Sequence, residues 1–524
     1  MGIYLNPGDR KFKMARNSRI YVDKSGLIRY LNSVFDTESR FICVSRPRRF
    51  GKSMAANMIS AYYDRTVDGG AAFQGLEIAG DAAFAMYCNQ CDVLFINMQE
   101  FLSRSQSMKD MLDLLKQKIL HDVLREYSHI SYFDRTDMVG CLDDVFVETQ
   151  RPFVVIIDEW DCIFREYRND YQAQRQYLDF LRDWLKDKAY IGLAYMTGIL
   201  PIKKYGTHSA LNMFTEFSMT NPRELTAFVG FTAEEVRKLC EQYHMDYEET
   251  MSWYDGYQFR DMTSICNPRS VVSAMESGIL DTYWTETETF EALKIYIDMN
   301  FSGLRDTIVK LMAGGRQKID TRSFVNDMTT FHSADDVLTL LVHLGYLGYD
   351  FDTKEVFIPN REIMGEYVTA TRVSQWSEIV HSVLQSDKLL QATWNGDEEA
   401  VAKGMEEAHL NTSHLQYNDE NALSYTVSLA YYSARQYYTI IRELPTGKGF
   451  ADMVFLPKKK YADKPAMVVE LKWNDNADTA LRQIRDKQYT EALKDYKGNI
   501  LCVGITYDRG SKEHMCRIEK ETIG

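Results

Sequence analysis

The stretch FICVSRPRRFGKSMAANMISAYY, residues 41–63, combines three local patterns that decide the fold of the first part of the chain. Its first five residues, FICVS, are a short, mainly apolar run that is typical of a buried strand. A basic loop containing Gly51 follows, and the remaining residues favour a helix. This order predicts a phosphate-binding loop, because amide groups of such a loop and of the helix N-terminus point at the anion.

Three residues of this loop have the chemistry that a nucleoside triphosphate requires. Gly51 lets the backbone approach the phosphates closely. We predict that Lys52 places its ammonium on the β- and γ-phosphates and that the Ser53 hydroxyl ligates Mg²⁺. Arg46 stands where the generic motif begins with glycine. For this loop alone, a basic strand-to-helix turn therefore remains the alternative.

A second apolar run, FVVIID at 153–158, ends in a pair of acidic residues. We predict that Asp158 holds the Mg²⁺ through water and that Glu159 orients or deprotonates the attacking water. Thr197 ends the next strand-like run, where related ATPases place a polar γ-phosphate sensor. The acidic pair by itself also fits a solvated loop, but its position after the phosphate-binding loop favours the nucleotide site.

Strand-like and helix-like runs alternate over the first 200 or so residues, which predicts an α/β fold with a parallel sheet and helices on both faces. The strand candidates are residues 41–45, 92–98, 153–158 and 191–198. We expect domains at 1–230 and 401–524, both α/β, and a mostly helical middle region at 231–400. Within that region, residues 335–363 predict a helix and two short strands, either a winged-helix-like element or a hairpin.

Two strand-like segments near the C-terminal end, ADMVFL (451–456) and AMVVELKW (466–473), bring a second set of polar residues together. Residues two apart in a strand face the same side, so Glu470 and Lys472 project together. Asp452, on the preceding strand, can lie beside Glu470. Two carboxylates suit Mg²⁺ or Mn²⁺, and lysine suits a phosphate, which predicts metal-assisted phosphodiester hydrolysis. A Glu-x-Lys pair in a strand is also common by chance.

The composition of the chain restricts the partners that it can bind. The 524-residue chain has a formal net charge of −14, so any contact with nucleic acid must be local. Residues 445–473 hold six lysines and three acidic residues, and the run Lys458–Lys460 suits either a nucleic-acid backbone or a solvated turn.

Nine scattered cysteines predict reduced thiols in the cytoplasm. Neither a signal peptide nor an apolar run of about 18 residues stands out, so we expect no membrane partner.

Several further stretches resemble a known family. They are YVDKSG (21–26), SRPRRFGKS (45–53), IIDEWD (156–161), TGILPIK (197–203), WYDGYQF (253–259) and CNPRSVV (266–272). Together they resemble the bacterial AAA-ATPase-like family, which is commonly fused to a nuclease fold of the PD-(D/E)XK type. The arginine-rich loop is usual in that family. The resemblance implies that Arg46, Arg48 and Arg49 contact phosphates or the transition-state charge. The alternative is that they simply form a solvated basic loop.

The C-terminal segment, about residues 405–510, resembles the PD-(D/E)XK nuclease core, which has a restriction-endonuclease-like fold. The resemblance implies that Glu420 is a further acidic metal ligand. Gln483 and Tyr489 are similar to a glutamine and a tyrosine of the RecB-like branch, but their spacing is loose and ordinary helix surface and packing is the favoured explanation.

These observations lead to one hypothesis and two rivals, of which the second is a plain ATPase that acts as a remodelling motor. The hypothesis is an ATP-binding and ATP-hydrolysing protein with a Mg²⁺-dependent nuclease domain that acts on DNA or RNA, with a homo-oligomer left open. The first rival is a nucleotide-regulated scaffold that binds nucleic acid or protein through a catalytically silent nuclease fold. The intact Asp452, Glu470 and Lys472 favour the enzyme.

Overall fold

The computed structural model describes most of the chain. The described residues are 2–202, 211–221, 223–259, 262–284, 290–299, 301–325, 328–373, 377–411, 420–446, 449–486, 498–508, 511 and 513–523. They form two compact units, where we expected three domains. The first comprises Met1–Thr287 and Lys318–Ile363, and the second Glu288–Gln317 and Met364–Gly524. The expected middle region is thus divided between the two units.

The helices and strands alternate in the first unit and separate more clearly in the second. The helices are α1 Arg10–Arg16, α2 Gly26–Val34, α3 Lys52–Tyr63, α4 Gly69–Phe73, α5 Phe84–Tyr87, α6 Met98–Leu102, α7 Met108–Glu126, α8 Met138–Thr149, α9 Cys162–Glu166, α10 Tyr171–Leu185, α11 Ala233–Tyr243, α12 Tyr247–Tyr254, α13 Pro268–Ser277, α14 Phe290–Ile297, α15 Leu304–Met312, α16 Ala334–Leu344, α17 Arg361–Val373, α18 Ser377–Asn395, α19 Glu398–Asn411, α20 Glu420–Ala430, α21 Ala434–Tyr437 and α22 Ala477–Asp486. The strands are β1 Phe41–Ser45, β2 Asp92–Asn97, β3 Phe153–Asp158, β4 Ile191–Gly198, β5 Thr215–Phe217, β6 Phe231–Thr232, β7 Tyr257–Phe259, β8 Met262–Cys266, β9 Gln317–Lys318, β10 Gly348–Asp350, β11 Glu355–Phe357, β12 Tyr438–Thr446, β13 Gly449–Pro457, β14 Ala466–Trp473, β15 Gly498–Asp508 and β16 Glu513–Ile523.

The first unit is built on a five-stranded sheet in the order β2-β3-β4-β1-β5. Every neighbouring pair is parallel, which confirms the predicted parallel sheet. Strands β1, β3 and β4 are buried at every position, as expected of strands covered on both faces. The β-branched and aromatic side chains of these runs therefore fill the core of the unit. Strand β5 is short and partly exposed, and its sequence did not predict it.

The segment predicted as a helix and two short strands forms α16 followed by an antiparallel hairpin of β10 and β11. Ser333 caps α16 by accepting a hydrogen bond from the Asp336 amide. Gly345, with φ +88°, ends the helix in the left-handed conformation that glycine adopts without a Cβ penalty. The helix and the two short strands lie at the predicted positions, and the winged-helix-like element stays a prediction.

The second unit has a mixed sheet in the order β12-β13-β14-β15-β16. Only β14 and β15 run parallel. Alternate residues of β14 face opposite layers: Val469 packs in a cluster with residues of α18, α19 and α20, whereas Val468 packs with Leu481 and Ile484 of α22. Alternation therefore carries Glu470 and Lys472 to the α22 side of the sheet.

Among the described residues, no helix combines the length and the apolar character that crossing a membrane requires.

Candidate nucleotide and phosphodiester sites

The loop between β1 and α3 has the backbone that a phosphate-binding loop requires. Gly51 precedes the first residue of α3 with φ +90°. A Cβ added there would meet no atom within 4 Å, so the backbone conformation, and not crowding, demands glycine. The first amides of α3 lack acceptors within the helix and are available to an anion.

Lys52 is held inside this loop. Its side chain is 5% exposed, and Nζ donates to the carbonyl oxygens of Arg46 and Pro47 at 3.0 and 2.8 Å. Burial lowers the pKa of Lys52, and the carboxylates of Glu159, Asp161 and Asp158 oppose that shift. The ammonium thus rests on neutral carbonyls, which a charged phosphate oxygen can displace.

Asp158 ends β3 directly beside Asn97, the last residue of β2. It is 2% exposed. Its Oδ1 accepts hydrogen bonds from the Thr197 hydroxyl and, at 3.1 Å, from the Glu159 amide, and Oδ2 accepts from Asn97 Nδ2 at 3.4 Å. Asn97, which the sequence analysis did not single out, and Thr197 therefore fix the orientation of this carboxylate. Thr197 lies at the predicted strand end, but its hydroxyl is bonded to Asp158.

Glu159 has a left-handed backbone, with φ +55°. Its carboxylate pairs with Arg165 of α9, with 2.5 Å between Oε2 and Nη2. Non-glycine residues in this backbone region cost free energy, and such residues concentrate at functional sites. The residue after Asp158 thus lies on a turn that follows the buried strand.

Two cavities meet at the loop. One, of about 490 Å³, has an apolar wall that includes Ile20, Tyr21, Val22, Phe228 and Phe231. The other, of about 710 Å³, is lined by polar side chains. These polar residues are Lys11, Arg48, Ser53, Asn97, Gln99, Glu100, Ser103, Glu159, Arg165 and Glu166. Three of the predicted residues, Arg48, Ser53 and Glu159, line both cavities, so the loop separates an apolar space from a polar one.

The apolar cavity contains residues from stretches that carried the family resemblance but received no role. Tyr21, Val22 and Lys24 come from YVDKSG, and Arg269 from CNPRSVV. Lys24 Nζ is bonded to the Glu235 carboxylate and to the Ala227 carbonyl oxygen, with 2.6 Å to Glu235 Oε2. Sequence spacing could not reveal these neighbours, because they are about 200 residues apart along the chain.

The arginines of the loop differ from one another, and the expectation for Arg46 needs correction. Its side chain is fully buried, donates to the Ser45 and Phe217 carbonyl oxygens and lies 5.0 Å from the Phe259 ring centroid. It therefore packs beneath the loop and lines neither cavity. Burial lowers the pKa of Arg46 to about 10. Arg49 lines the apolar cavity and donates to the Tyr283 carbonyl oxygen at 2.8 Å.

The second unit brings Asp452, Glu470 and Lys472 together, as the strand pattern predicts. Lys472 Nζ is 3.1 Å from Glu470 Oε1. Asp452 Oδ2 accepts the Leu471 amide at 2.7 Å, which holds the aspartate next to the Glu470 strand. Gln483 of α22 donates to the same Glu470 oxygen as Lys472 does. The α22 helix therefore supplies a fourth polar group to this cluster.

Glu470 is a buried carboxylate that its protein neighbours satisfy only in part. It is 1% exposed, and its Oε2 has no hydrogen-bond partner within the described part of the chain. Burial, followed by the charge of Asp452, raises the pKa of Glu470 to about 7, and Lys472 opposes the shift. A divalent cation between the two carboxylates would relieve both effects, so these residues fit Mg²⁺ or Mn²⁺.

Other predicted residues of this site lie at the limits of the described region. Glu420 begins α20, but its side chain lies outside the described residues, as do Tyr489 and the Lys460 side chain. No group of three or more His, Cys, Asp and Glu side chains forms a metal site in the described residues. Lys464 lies 4.7 Å from the Trp394 ring centroid, within the second unit.

Family models match both sites. Residues 9–207 match the model described as a predicted AAA-ATPase, and residues 419–516 match that of the PD-(D/E)XK nuclease superfamily. The chain carries an AAA-ATPase-like domain and a PD-(D/E)XK nuclease-superfamily domain. The AAA-ATPase-like domain includes the loop and the acidic pair, and the nuclease-superfamily domain includes Asp452, Glu470 and Lys472. No curated protein sequence matches the chain.

Solved structures show only a faint likeness. The Aeropyrum pernix ORC2 protein in ADPNP–ADP complexes is 12% identical, with a TM-score of 0.29, over 70% of this chain and 98% of that one. Cdc6p from Pyrobaculum aerophilum is 10% identical, with a TM-score of 0.24, over the same shares. The Aeropyrum pernix ORC1 protein in complex with DNA is 11% identical, with a TM-score of 0.22, over 68% and 94%. Scores this low support no conclusion about this chain.

Proposed function

We propose that this protein binds and hydrolyses ATP through its AAA-ATPase-like domain and cuts nucleic-acid phosphodiesters through its nuclease-superfamily domain. The observation that carries the nuclease part is the convergence of Asp452, Glu470 and Lys472. Glu470 is buried there, and its pKa is raised to about 7. A silent scaffold has no need of two adjacent, under-neutralised carboxylates, which cost stability unless a cation joins them.

In the AAA-ATPase-like domain, Lys52 is the group that holds the β- and γ-phosphates. Ser53 and Asp158 are the oxygen donors for a Mg²⁺ ion that accompanies the nucleotide. Glu159 accepts a proton from the attacking water or orients it. Support comes from the left-handed Gly51 and from the position of Ser53 and Glu159 at the same two cavities.

In the nuclease-superfamily domain, Asp452 and Glu470 hold Mg²⁺ or Mn²⁺, with Glu420 as a further ligand by resemblance. Such an ion supplies hydroxide near neutral pH and stabilises the leaving oxygen. Lys472 neutralises charge on the phosphate, and Gln483 keeps the Glu470 carboxylate in place. The substrate class is DNA or RNA, and ATP binding regulates its access to this site.

All nine cysteines are free and buried, which supports a location in the reducing cytoplasm.

One comparison tests this function. Wild type, Lys52→Ala and Glu470→Ala are incubated with single- and double-stranded DNA and RNA, in Mg²⁺ or Mn²⁺, with and without ATP. We expect wild type to cut at least one substrate and Glu470→Ala to lose at least about a hundredfold in rate, because the carboxylate holds the ion. Lys52→Ala should lose ATP turnover and any effect of ATP on cutting.

Glu513→Ala is the matched control, because Glu513 is an exposed residue on the same sheet. It should cut as wild type does. If wild type turns over ATP but cuts none of the substrates, the nuclease assignment is wrong and a binding scaffold replaces it.

A further inference from the structure

Arg165 of α9 forms an ion pair with the carboxylate to which we assign water activation. The pair joins Arg165 Nη2 to Glu159 Oε2 over 2.5 Å. The two side chains are 11% and 23% exposed, so solvent screens the pair less than it screens a surface ion pair. This ion pair holds the Glu159 carboxylate against Arg165, so the orientation of the carboxylate towards an attacking water depends on this contact.

The same guanidinium borders the polar cavity beside the phosphate-binding loop. Arg165, Glu159 and Ser53 line it together. Arg165 Nε lies 3.8 Å from Asp161 Oδ2, an oxygen that is itself fixed by the amides of Ile199 and Leu200 at 3.1 and 2.9 Å. The guanidinium therefore has a fixed acidic neighbour on one side and the Glu159 carboxylate on another.

We infer that Arg165 couples the arrival of a nucleoside triphosphate to the release of Glu159. This inference rests on the proposed ATPase function. The γ-phosphoryl oxygens enter the region that Arg165 lines and compete with Glu159 for the same N–H donors, because phosphate oxygens are strong charge-assisted acceptors. A diphosphate lacks these oxygens and leaves the ion pair intact.

Released Glu159 then permits hydrolysis. The oxygen of a water molecule bonds to the γ-phosphorus while the bond from that phosphorus to the β–γ bridging oxygen breaks. The bridging oxygen keeps the electron pair and leaves with the diphosphate, and the proton of the water passes to the Glu159 carboxylate. Arg165, now on the γ-phosphoryl oxygens, stabilises the charge of the transition state.

Nucleotide binding tests the inference without turnover. Calorimetric titrations compare ADP with a non-hydrolysable ATP analogue on wild type, Glu159→Gln, Arg165→Ala and the double variant. Glutamine has the size of glutamate but no charge, so Glu159→Gln should raise affinity for the ATP analogue by about tenfold and leave ADP unchanged. On the Arg165→Ala background the same substitution should change neither affinity. If Arg165 had only a structural role, Glu159→Gln would change the affinities for ADP and for the ATP analogue by the same factor.

Steady-state turnover gives a second readout. Arg165→Ala should lower kcat by about a hundredfold with little change in KM, and Arg165→Lys should recover part of the loss because it restores one charged donor. The matched control is Arg168→Ala, an exposed arginine whose Nε donates to the Arg165 carbonyl oxygen. It should keep the wild-type kcat.

Two results would overturn the inference: equal effects of Glu159→Gln on the affinities for ADP and the ATP analogue, or an unchanged kcat in Arg165→Ala. A wild-type protein that binds neither nucleotide instead rejects the proposed ATPase function, and the inference with it. That failure is visible before any Arg165 variant is measured.

Discussion

At the scale of single residues, the chemistry that we propose depends on positions whose backbone or surroundings are unusual. Gly51 and Glu159 both have positive φ, and Lys52 and Glu470 are charged groups that are almost fully buried. Each of these features costs stability in isolation. Their concentration at two sites is the pattern expected where function, and not folding, has selected the residue.

Gly51 allows a residue-scale prediction with a close control. Gly51→Ala should lower the free energy of unfolding of the first unit by about 1–2 kcal/mol, because an L-residue is strained at φ +90°. It should also weaken ATP binding, since the loop loses its shape. Gly80→Ala is the control: a Cβ at either position meets no atom within 4 Å, but only Gly51 has positive φ.

Thermal denaturation and calorimetric ATP titration measure the two effects. If Gly51→Ala and Gly80→Ala change the melting temperature equally, the strained backbone is not the reason for glycine at position 51.

At the scale of elements, the contact between α19 and β16 places two histidines together inside the second unit. The ring centroids of His409 on α19 and His514 on β16 are 5.0 Å apart, and both rings pack against Tyr507 of β15. His514 is 5% exposed, and neither ring nitrogen has a hydrogen-bond partner within the described residues. Burial lowers the pKa of His409 to about 4 and that of His514 to about 3.

These pKa values predict acid sensitivity of this contact. Below about pH 6.5 the unfolded chain protonates both histidines while the folded unit keeps them neutral. The unfolded state therefore binds more protons, and stability falls as pH decreases from about 6.5 towards 4. His514→Phe keeps an aromatic ring without a titratable group, so its melting temperature should fall less between pH 7.5 and pH 5 than that of wild type.

His121→Gln is the control, because His121 lies exposed on α7. It should reproduce the wild-type pH dependence. Equal losses of melting temperature in His514→Phe and wild type would show that the histidine pair does not contribute to acid sensitivity.

At the scale of the whole molecule, each of the two units consists of two segments that are separated along the chain. Residues 288–317 belong to the second unit although about fifty residues separate them from the rest of it. Contacts such as that of Arg435 with the Met312 carbonyl oxygen, at 3.3 Å, hold this segment there. The proposed ATP site and the proposed metal site therefore lie in different units, each with its own core.

Separate cores predict separate ligand effects on stability. ATP should raise the melting transition of the first unit and Mn²⁺ that of the second, since a ligand at 100 times its Kd adds about 2.7 kcal/mol to the state that binds it. Lys52→Ala should abolish only the ATP shift, and Glu470→Ala only the Mn²⁺ shift measured without nucleotide. Differential scanning calorimetry resolves the two. Loss of both shifts in either single variant would contradict the assignment of ATP to the first unit and of Mn²⁺ to the second.

The amino-acid sequence by itself determined the parallel sheet, the order of loop and acidic pair, and the meeting of Asp452, Glu470 and Lys472. These follow from local rules: alternation along a strand, conformational freedom of glycine and the burial of apolar runs. Only the tertiary structure revealed the burial of Arg46, the ion pair of Arg165 with Glu159 and the division of the middle region. Each depends on contacts between segments far apart in the chain, and local patterns carry no information about which distant surface covers a side chain.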